Sequence, residues 1–357
     1  MIKVAISKYP LISAHKKRGI GYYTQNLIDQ LKKDKSISIQ EFVNQSEIKD
    51  ADVIHYPWFD LYSHTLPIKN KFPTVVTIHD VIPLIFRKNY PVGIKGKFNF
   101  FLQKISLNNC RAVITDSEAS KKDISKYLNI KDEKVFVIPL AVDESFKKIN
   151  ESQLIRLRRK YHLPQRFILY SGDANWTKNL PFLVKGFKNL VNIKGYDDIK
   201  LVLISDVFLK KLDNIDHPEL KSLKETLKFI ETNLEGKVIT PGFVEKNELV
   251  AFYNLATVYV QPSIYEGFGL PLLQALSCGI PTISSNTGSL PEVGGKAALY
   301  FDPNNLEQFI SVLKETIDDE SLRSRLTNLG LERAKKFSWE KVADQTKEVY
   351  LKVMRTQ

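Results

Sequence analysis

What most constrains this chain is an alternation of short apolar segments with longer amphipathic ones, run through twice. In the first half the short segments are Lys3–Ser7, Ile37–Val43, Val53–Tyr56, Thr74–Ile78, Ala112–Thr115 and Val135–Ile138. In the second they are Phe167–Ser171, Leu201–Ile204, Val238–Thr240, Thr257–Gln261, Thr282–Ser285 and Ala298–Phe301. Segments this short and apolar on both faces predict parallel strands, buried by helices on each side. Helices are predicted at Tyr22–Leu31, Gly96–Leu107, Ala119–Leu128 and, after a break at Phe337-Ser338, Glu340–Val353. A chain of 357 residues is long enough for two such α/β domains. The charged stretch 150–162 runs into Leu163-Pro164, so the expected division is 1–163, 164–336 and a terminal helical segment 337–357. Open parallel sheets bind ligands beyond the carboxyl ends of their strands, which directs attention to those ends.

Composition narrows the setting. No apolar run is long enough to span a bilayer, and Met1-Ile2-Lys3-Val4-Ala5-Ile6 reads as a strand rather than a signal peptide. Cys110 and Cys278 lack a C-x-x-C partner, and the six histidines show no metal-ligand spacing. A cytoplasmic protein without a bound metal is expected. The net charge of +12 is one-sided: 28 Lys and Arg face 16 Asp and Glu over residues 1–160, against 24 and 24 beyond. Such a field suits an anionic partner, or is simply a solvated basic surface. A nucleic-acid partner would rest on charge alone and is not expected.

The densest motif is Gln261-Pro262-Ser263-Ile264-Tyr265-Glu266-Gly267-Phe268-Gly269-Leu270-Pro271, which follows a strand and opens a helix. Pro271 suits a first helical turn, Gly267 and Gly269 permit close backbone approach, and the free N–H groups of the helix would face an anion. Glu266 would repel a phosphate there unless aimed elsewhere, for example at sugar hydroxyls. The plainer alternative is a strand-to-helix turn whose glycines only satisfy the backbone. A second strand end carries Tyr170-Ser171-Gly172-Asp173-Ala174-Asn175-Trp176-Thr177-Lys178, and Lys178 is either a functional cation or a solvated lysine.

The Glu266 motif resembles that of the family-4 retaining glycosyltransferases of the GT-B fold, two Rossmann-like domains facing across a cleft. Ser277-Cys278-Gly279-Ile280-Pro281 and Leu290-Pro291-Glu292-Val293 follow it as they do in that family. The resemblance implies that Glu266 contacts the donor sugar, that the amides of Gly267, Phe268, Gly269 and Leu270 contact sugar and diphosphate, and that position 274 binds the ribose. The family has a second Glu there, where this chain has Gln274, which bonds a ribose without a charge. Lys178 would neutralise the diphosphate; the Arg that often follows the family's glycine is here Asp173. Gly172 and Phe243 complete the donor-binding set expected in this half.

In the first half, Arg18-Gly19-Ile20-Gly21-Tyr22-Tyr23-Thr24 looks like the glycine loop that approaches the donor phosphates, with Gly19 and Gly21 as its contacts and Arg18 a substitute cation. His79, in Ile78-His79-Asp80, resembles the His near the donor sugar's 6-hydroxyl, while Asp116 and Ser117 read as a helix cap. Phe86–Pro91 and Lys95–Lys104 mix basic and aromatic residues: a face for an anionic membrane, or an ordinary amphipathic helix with its aromatics in the core.

The family resemblance implies a metal-independent, retaining hexosyltransferase using a nucleotide sugar, GDP-mannose ahead of other donors, and a glycan or lipid-linked glycan acceptor. Its expected place is the cytoplasm, at the inner face of the membrane, and its final helix is expected to cross back onto the N-terminal domain. The alternative is a nucleotide-sugar-binding protein whose transfer activity is lost or reduced, which Gln274 and Asp173 motivate.

Overall fold

Among the described residues, twelve strands form two parallel sheets, each built from one half of the alternating pattern. The computed structural model describes residues 1–14, 16, 19–214 and 220–355. The first sheet contains β1 (Ile2–Ser7), β2 (Ile37–Phe42), β3 (Val53–Tyr56), β4 (Thr74–Thr77), β5 (Ala112–Thr115) and β6 (Val135–Val137), in the order β2-β1-β3-β4-β5-β6. The second contains β7 (Phe167–Ser171), β8 (Lys200–Ile204), β9 (Val238–Ile239), β10 (Val258–Gln261), β11 (Thr282–Ser285) and β12 (Ala298–Phe301), in the order β12-β11-β10-β7-β8-β9. Every residue of β3, β4, β5, β7, β10 and β11 is buried, as strands covered on both faces must be.

Contacts divide the chain into two units, 1–141 with 337–357, and 142–336. The division expected at Leu163 falls inside the second unit. The cause is packing: Phe146, Leu157 and Leu163 join a core cluster with Val250, Phe252 and Tyr253, so the helix Glu151–Lys160 belongs to the second sheet. Its charged stretch leads into Leu163-Pro164, where the division was expected. The final helix, Trp339–Arg355, belongs to the first unit, where it packs on the helix Gly19–Leu31. Tyr350 Oη lies 2.7 Å from His55 Nδ1, and Lys347 is paired with Asp34 at 2.6 Å.

In each sheet the strand order reverses once, between β1 and β3 in the first and between β7 and β10 in the second. Strands that flank such a reversal send their following loops to opposite sides, which leaves a crevice at their carboxyl ends.

Candidate functional site

The two motifs of the second unit leave the strands that flank its reversal. β7 (Phe167–Ser171) runs into Gly172–Lys178, and β10 (Val258–Gln261) runs into Pro262–Leu270. The loops are stitched together where the N–H of Ile264 donates to the carbonyl of Thr177 at 2.7 Å. A short 3-10 turn, Trp176–Lys178, then aims Lys178 across the crevice. Its ammonium donates to both carboxylate oxygens of Glu266, at 2.7 and 2.9 Å. The side chains are only 15% and 10% exposed, so the pair is shielded from bulk water.

Glu266 is held from its other side as well. Ser263 Oγ and Gln261 Nε2 donate to Oε1 at 2.7 and 2.9 Å, and Gln261 accepts in turn from the Tyr259 hydroxyl. Ser289 Oγ sits 3.0 Å from the Glu266 carbonyl and 2.7 Å from that of Phe268, fixing the loop's backbone. Gly288 has φ +56°, and a Cβ there would stand 2.7 Å from the Glu266 carbonyl oxygen. This close approach of the 285–289 loop is why residue 288 carries no side chain.

Gly267, Phe268 and Gly269 are buried and Leu270 is half-buried. Gly269 takes φ +101° as the N-cap of the helix Leu270–Ser277, with Pro271 in the first turn. The amides opening this eight-residue helix carry the positive end of its dipole. One turn on, Gln274 Oε1 accepts from the Tyr253 hydroxyl at 3.2 Å, and Tyr253 also meets Ser171 Oγ at 2.5 Å. Burial pushes the Tyr253 phenol far above its ordinary value, so it remains a neutral donor. Gly172 has φ +143° after β7, and Asp173 is exposed, its carboxylate accepting from the N–H of Ala174 at 2.7 Å. Phe243 lies on the loop before the helix Lys246–Leu255 and is 73% exposed.

In the first unit, His79 and Asp116 end the adjacent strands β4 and β5, and His79 Nδ1 lies 2.8 Å from Asp116 Oδ2. Burial opposes a charged imidazole, but the charge and hydrogen bond of Asp116, with Asp80 behind it, outweigh burial and raise the His79 pKa. Burial likewise raises that of Asp116, against the pull of His79. Asp116 is thus a charge partner for His79, and the capping bond comes from Ser117 Oγ, which accepts from the N–H of Ser120. His79 Nε2 and Asp116 Oδ1 are buried with no well-formed hydrogen bond, the Pro57 backbone lying beside the His79 ring. Tyr23 packs edge-on to the His79 ring with centroids 4.9 Å apart. Gly19 and Gly21 do not form a loop: both lie in the first turn of the helix Gly19–Leu31, which starts three residues earlier than the apolar pattern indicated. Arg18 lies outside the described residues. Among the described residues no cluster of His, Cys, Asp and Glu suits a metal ion.

Sequence reasoning singled out Glu266, Lys178, His79 and Gln274 as candidates; the structure adds Gln261, Ser263, Tyr253 and Ser289 as hydrogen-bond partners around Glu266 and Gln274. Gln261 and Ser263 carried a readable signal, polar residues at the end of an apolar strand within reach of Glu266. Tyr253 and Ser289 arrive from separate elements and carried none.

Solved structures share this fold along nearly the whole chain. Sucrose-phosphate synthase from Thermosynechococcus elongatus matches with a TM-score of 0.76 at 17% identity, covering 100% of both chains. Anabaena Alr3699/HepE in complex with UDP-glucose matches at 0.74 and 14% identity, covering 98% of this chain and 99% of its own. The fold is therefore the GT-B type, with two Rossmann-like domains. The sequence profile of glycosyl transferases group 1 matches residues 155–333, and that of glycosyltransferase family 4 matches residues 18–146. The chain belongs to the glycosyl transferases group 1 family. Among curated relatives, the serotype-specific mannosyltransferase WbdA of Escherichia coli is 30% identical over 83% of this chain. The chain spans 36% of WbdA, about a third of that relative's length. The O-antigen chain mannosyltransferase B of Escherichia coli is 29% identical over 77% of this chain and 69% of its own length.

Proposed function

We propose that this protein is a retaining, metal-independent hexosyltransferase. It moves mannose or glucose, with GDP-mannose the first-choice donor, to a glycan or lipid-linked glycan at the inner face of the cytoplasmic membrane. The observation that carries the proposal is the meeting of Lys178 and Glu266 at the mouth of the helix Leu270–Ser277.

That arrangement supplies opposite charges for the two ends of a nucleoside-diphosphate sugar. As the sugar C1–O bond breaks, negative charge collects on the departing diphosphate. The Lys178 ammonium and the amides of Gly269 and Leu270 stabilise that charge. In the free protein the ammonium is occupied by Glu266; donor binding exchanges this partner for the diphosphate. Glu266, still held by Ser263 and Gln261, then accepts from sugar hydroxyls. Gln274, oriented by Tyr253, bonds the ribose. The acceptor hydroxyl attacks C1 on the face from which the diphosphate leaves, and its proton passes to the leaving phosphate oxygen. The mannosyltransferase relatives support the choice of mannose.

Nucleotide release from GDP-mannose, UDP-glucose and ADP-glucose, with the anomeric configuration of the product read by NMR, tests this reading. An α-linked product from an α-linked donor is expected. No release from any donor, with the Glu266→Ala variant indistinguishable from wild type, would sink it. Donor binding by thermal shift without transfer would instead favour the alternative of a binding protein, which Gln274 and the exposed Asp173 motivate.

A further inference from the structure

The helix Ile94–Asn108 of the first unit is packed in the opposite sense to an ordinary amphipathic helix. Its buried side is largely polar. Gln103 Oε1 accepts from the N–H groups of Thr65 and Leu66, and its Nε2 donates to the Leu66 carbonyl. Ser106 Oγ donates to Leu66 and Asn99 Nδ2 to Tyr62, while Phe100 packs on the Tyr62 ring. These bonds satisfy the 62–66 loop and fix which face of the helix points inward. The residues left outward are Ile94 (89% exposed), Phe98 (61%), Phe101 (61%) and Ile105 (36%). At 100° per residue the four fall within an arc of about 60°, one continuous apolar stripe.

Cations flank this stripe. Lys97 and Lys104 fall on one side of it and Lys95 on the other, with exposed Arg87 and Lys88 in the segment just before. Between Asp80 and Asp116 the sequence holds six Lys and Arg and no Asp or Glu. An apolar ridge bordered by uncompensated cations matches the two layers of an anionic lipid surface: side chains enter the acyl boundary and ammonium groups meet the headgroups. A second copy of the chain would bring like charges together, and a nucleic acid would leave the apolar ridge in water.

We infer that the outer face of this helix docks on an anionic phospholipid bilayer, with Ile94, Phe98, Phe101 and Ile105 inserted and Lys95, Lys97 and Lys104 at the headgroups. The inference stands on this face alone and does not depend on the transfer reaction.

Flotation of the full chain with vesicles of phosphatidylcholine, alone or mixed with phosphatidylglycerol, tests it. Binding is expected only to the mixed vesicles and should weaken with added salt. Each cation near a charged leaflet contributes roughly fivefold, so Lys95→Gln/Lys97→Gln should lower binding by an order of magnitude or more. Phe98→Ser/Phe101→Ser should reduce it at least as far. Because neither ring lies in the core, both double variants should keep the wild-type thermal transition. In a separate Phe101→Trp variant, fluorescence added by the new indole should be quenched by brominated lipid, which reads insertion directly. The inference is overturned if the wild type floats with neither vesicle, or if the serine variant binds as wild type. A wild-type dimer that the serine variant dissolves would also overturn it, by assigning the stripe to self-association.

Discussion

Lys178 and Glu266, 88 residues apart in sequence, form a two-pronged ion pair in which one ammonium spans both carboxylate oxygens at 2.7 and 2.9 Å. The pair exists because their loops leave β7 and β10, neighbouring strands on either side of the reversal in the second sheet. Each group therefore balances the other's charge, and neither is left bare where bulk water is largely excluded.

Lys178→Ala is expected to slow transfer by about 10²–10³-fold, the usual loss when one donor to a developing negative charge is removed. Stability should fall by about 1–3 kcal/mol, less than for a wholly orphaned buried carboxylate, because Ser263 and Gln261 remain on Glu266. Nucleotide-release kinetics and thermal unfolding separate the two effects. A variant that turns over as fast as wild type would remove Lys178 from the reaction.

Gln274→Glu is expected to tighten nucleotide binding by about tenfold, since a carboxylate makes charge-assisted bonds to ribose hydroxyls where an amide does not. Tyr253 stands 3.2 Å away and can donate to either side chain, so the site need not rearrange. Calorimetric titration with GDP measures the change. Weaker binding by the Glu variant would show that the pocket is adapted to the amide.

Gly288→Ala should both destabilise the protein and impair donor binding. A Cβ at φ +56° is strained, and at 2.7 Å from the Glu266 carbonyl it must push that backbone aside. Strain of this kind costs about 1–3 kcal/mol. A lower melting temperature together with a raised donor KM is the expected signature. Wild-type values for both would mean that the 285–289 loop does not position Glu266.

The first unit should lose stability in acid through His55. This imidazole is completely buried between Tyr350 and Thr77; burial first, and then the charge of His79, push its pKa from 6.5 to about 3. Between those values the unfolded chain takes up a proton that the folded one refuses. Stability contributed by neutral His55 is therefore complete above about pH 6.5 and is lost as the pH falls towards 3. Urea midpoints at neutral pH and near pH 5 should differ more for wild type than for His55→Gln. Equal differences would place the acid sensitivity elsewhere.

The strands were legible because burial on both faces makes the central ones short apolar runs, and the ends of the described strands moved by a residue at most. Glu266, Lys178 and His79 were legible because polar residues at strand ends stand out against such runs. That Lys178 and Glu266 meet was less so, since it depends on which strands become neighbours. β7 and β10 are adjacent although two strands separate them in sequence. The helix Ile94–Asn108 shows a different limit. Periodicity finds its apolar face, but that face enters the core only if the domain has no better use for the other one. Here Gln103 and Ser106 satisfy a neighbouring loop and claim the interior, leaving Phe98 and Phe101 outside.

The bond between His55 and Tyr350 joins residues 295 positions apart, because the first unit is closed by the helix Trp339–Arg355. During synthesis, His55 must leave the ribosome long before its partner exists. Residues 142–336 emerge as one uninterrupted stretch and can assemble while the chain is still growing, whereas the earlier-made sheet waits for the last helix to cover it. The first unit is thus completed only after the second has emerged, and its interior stays exposed in the interval.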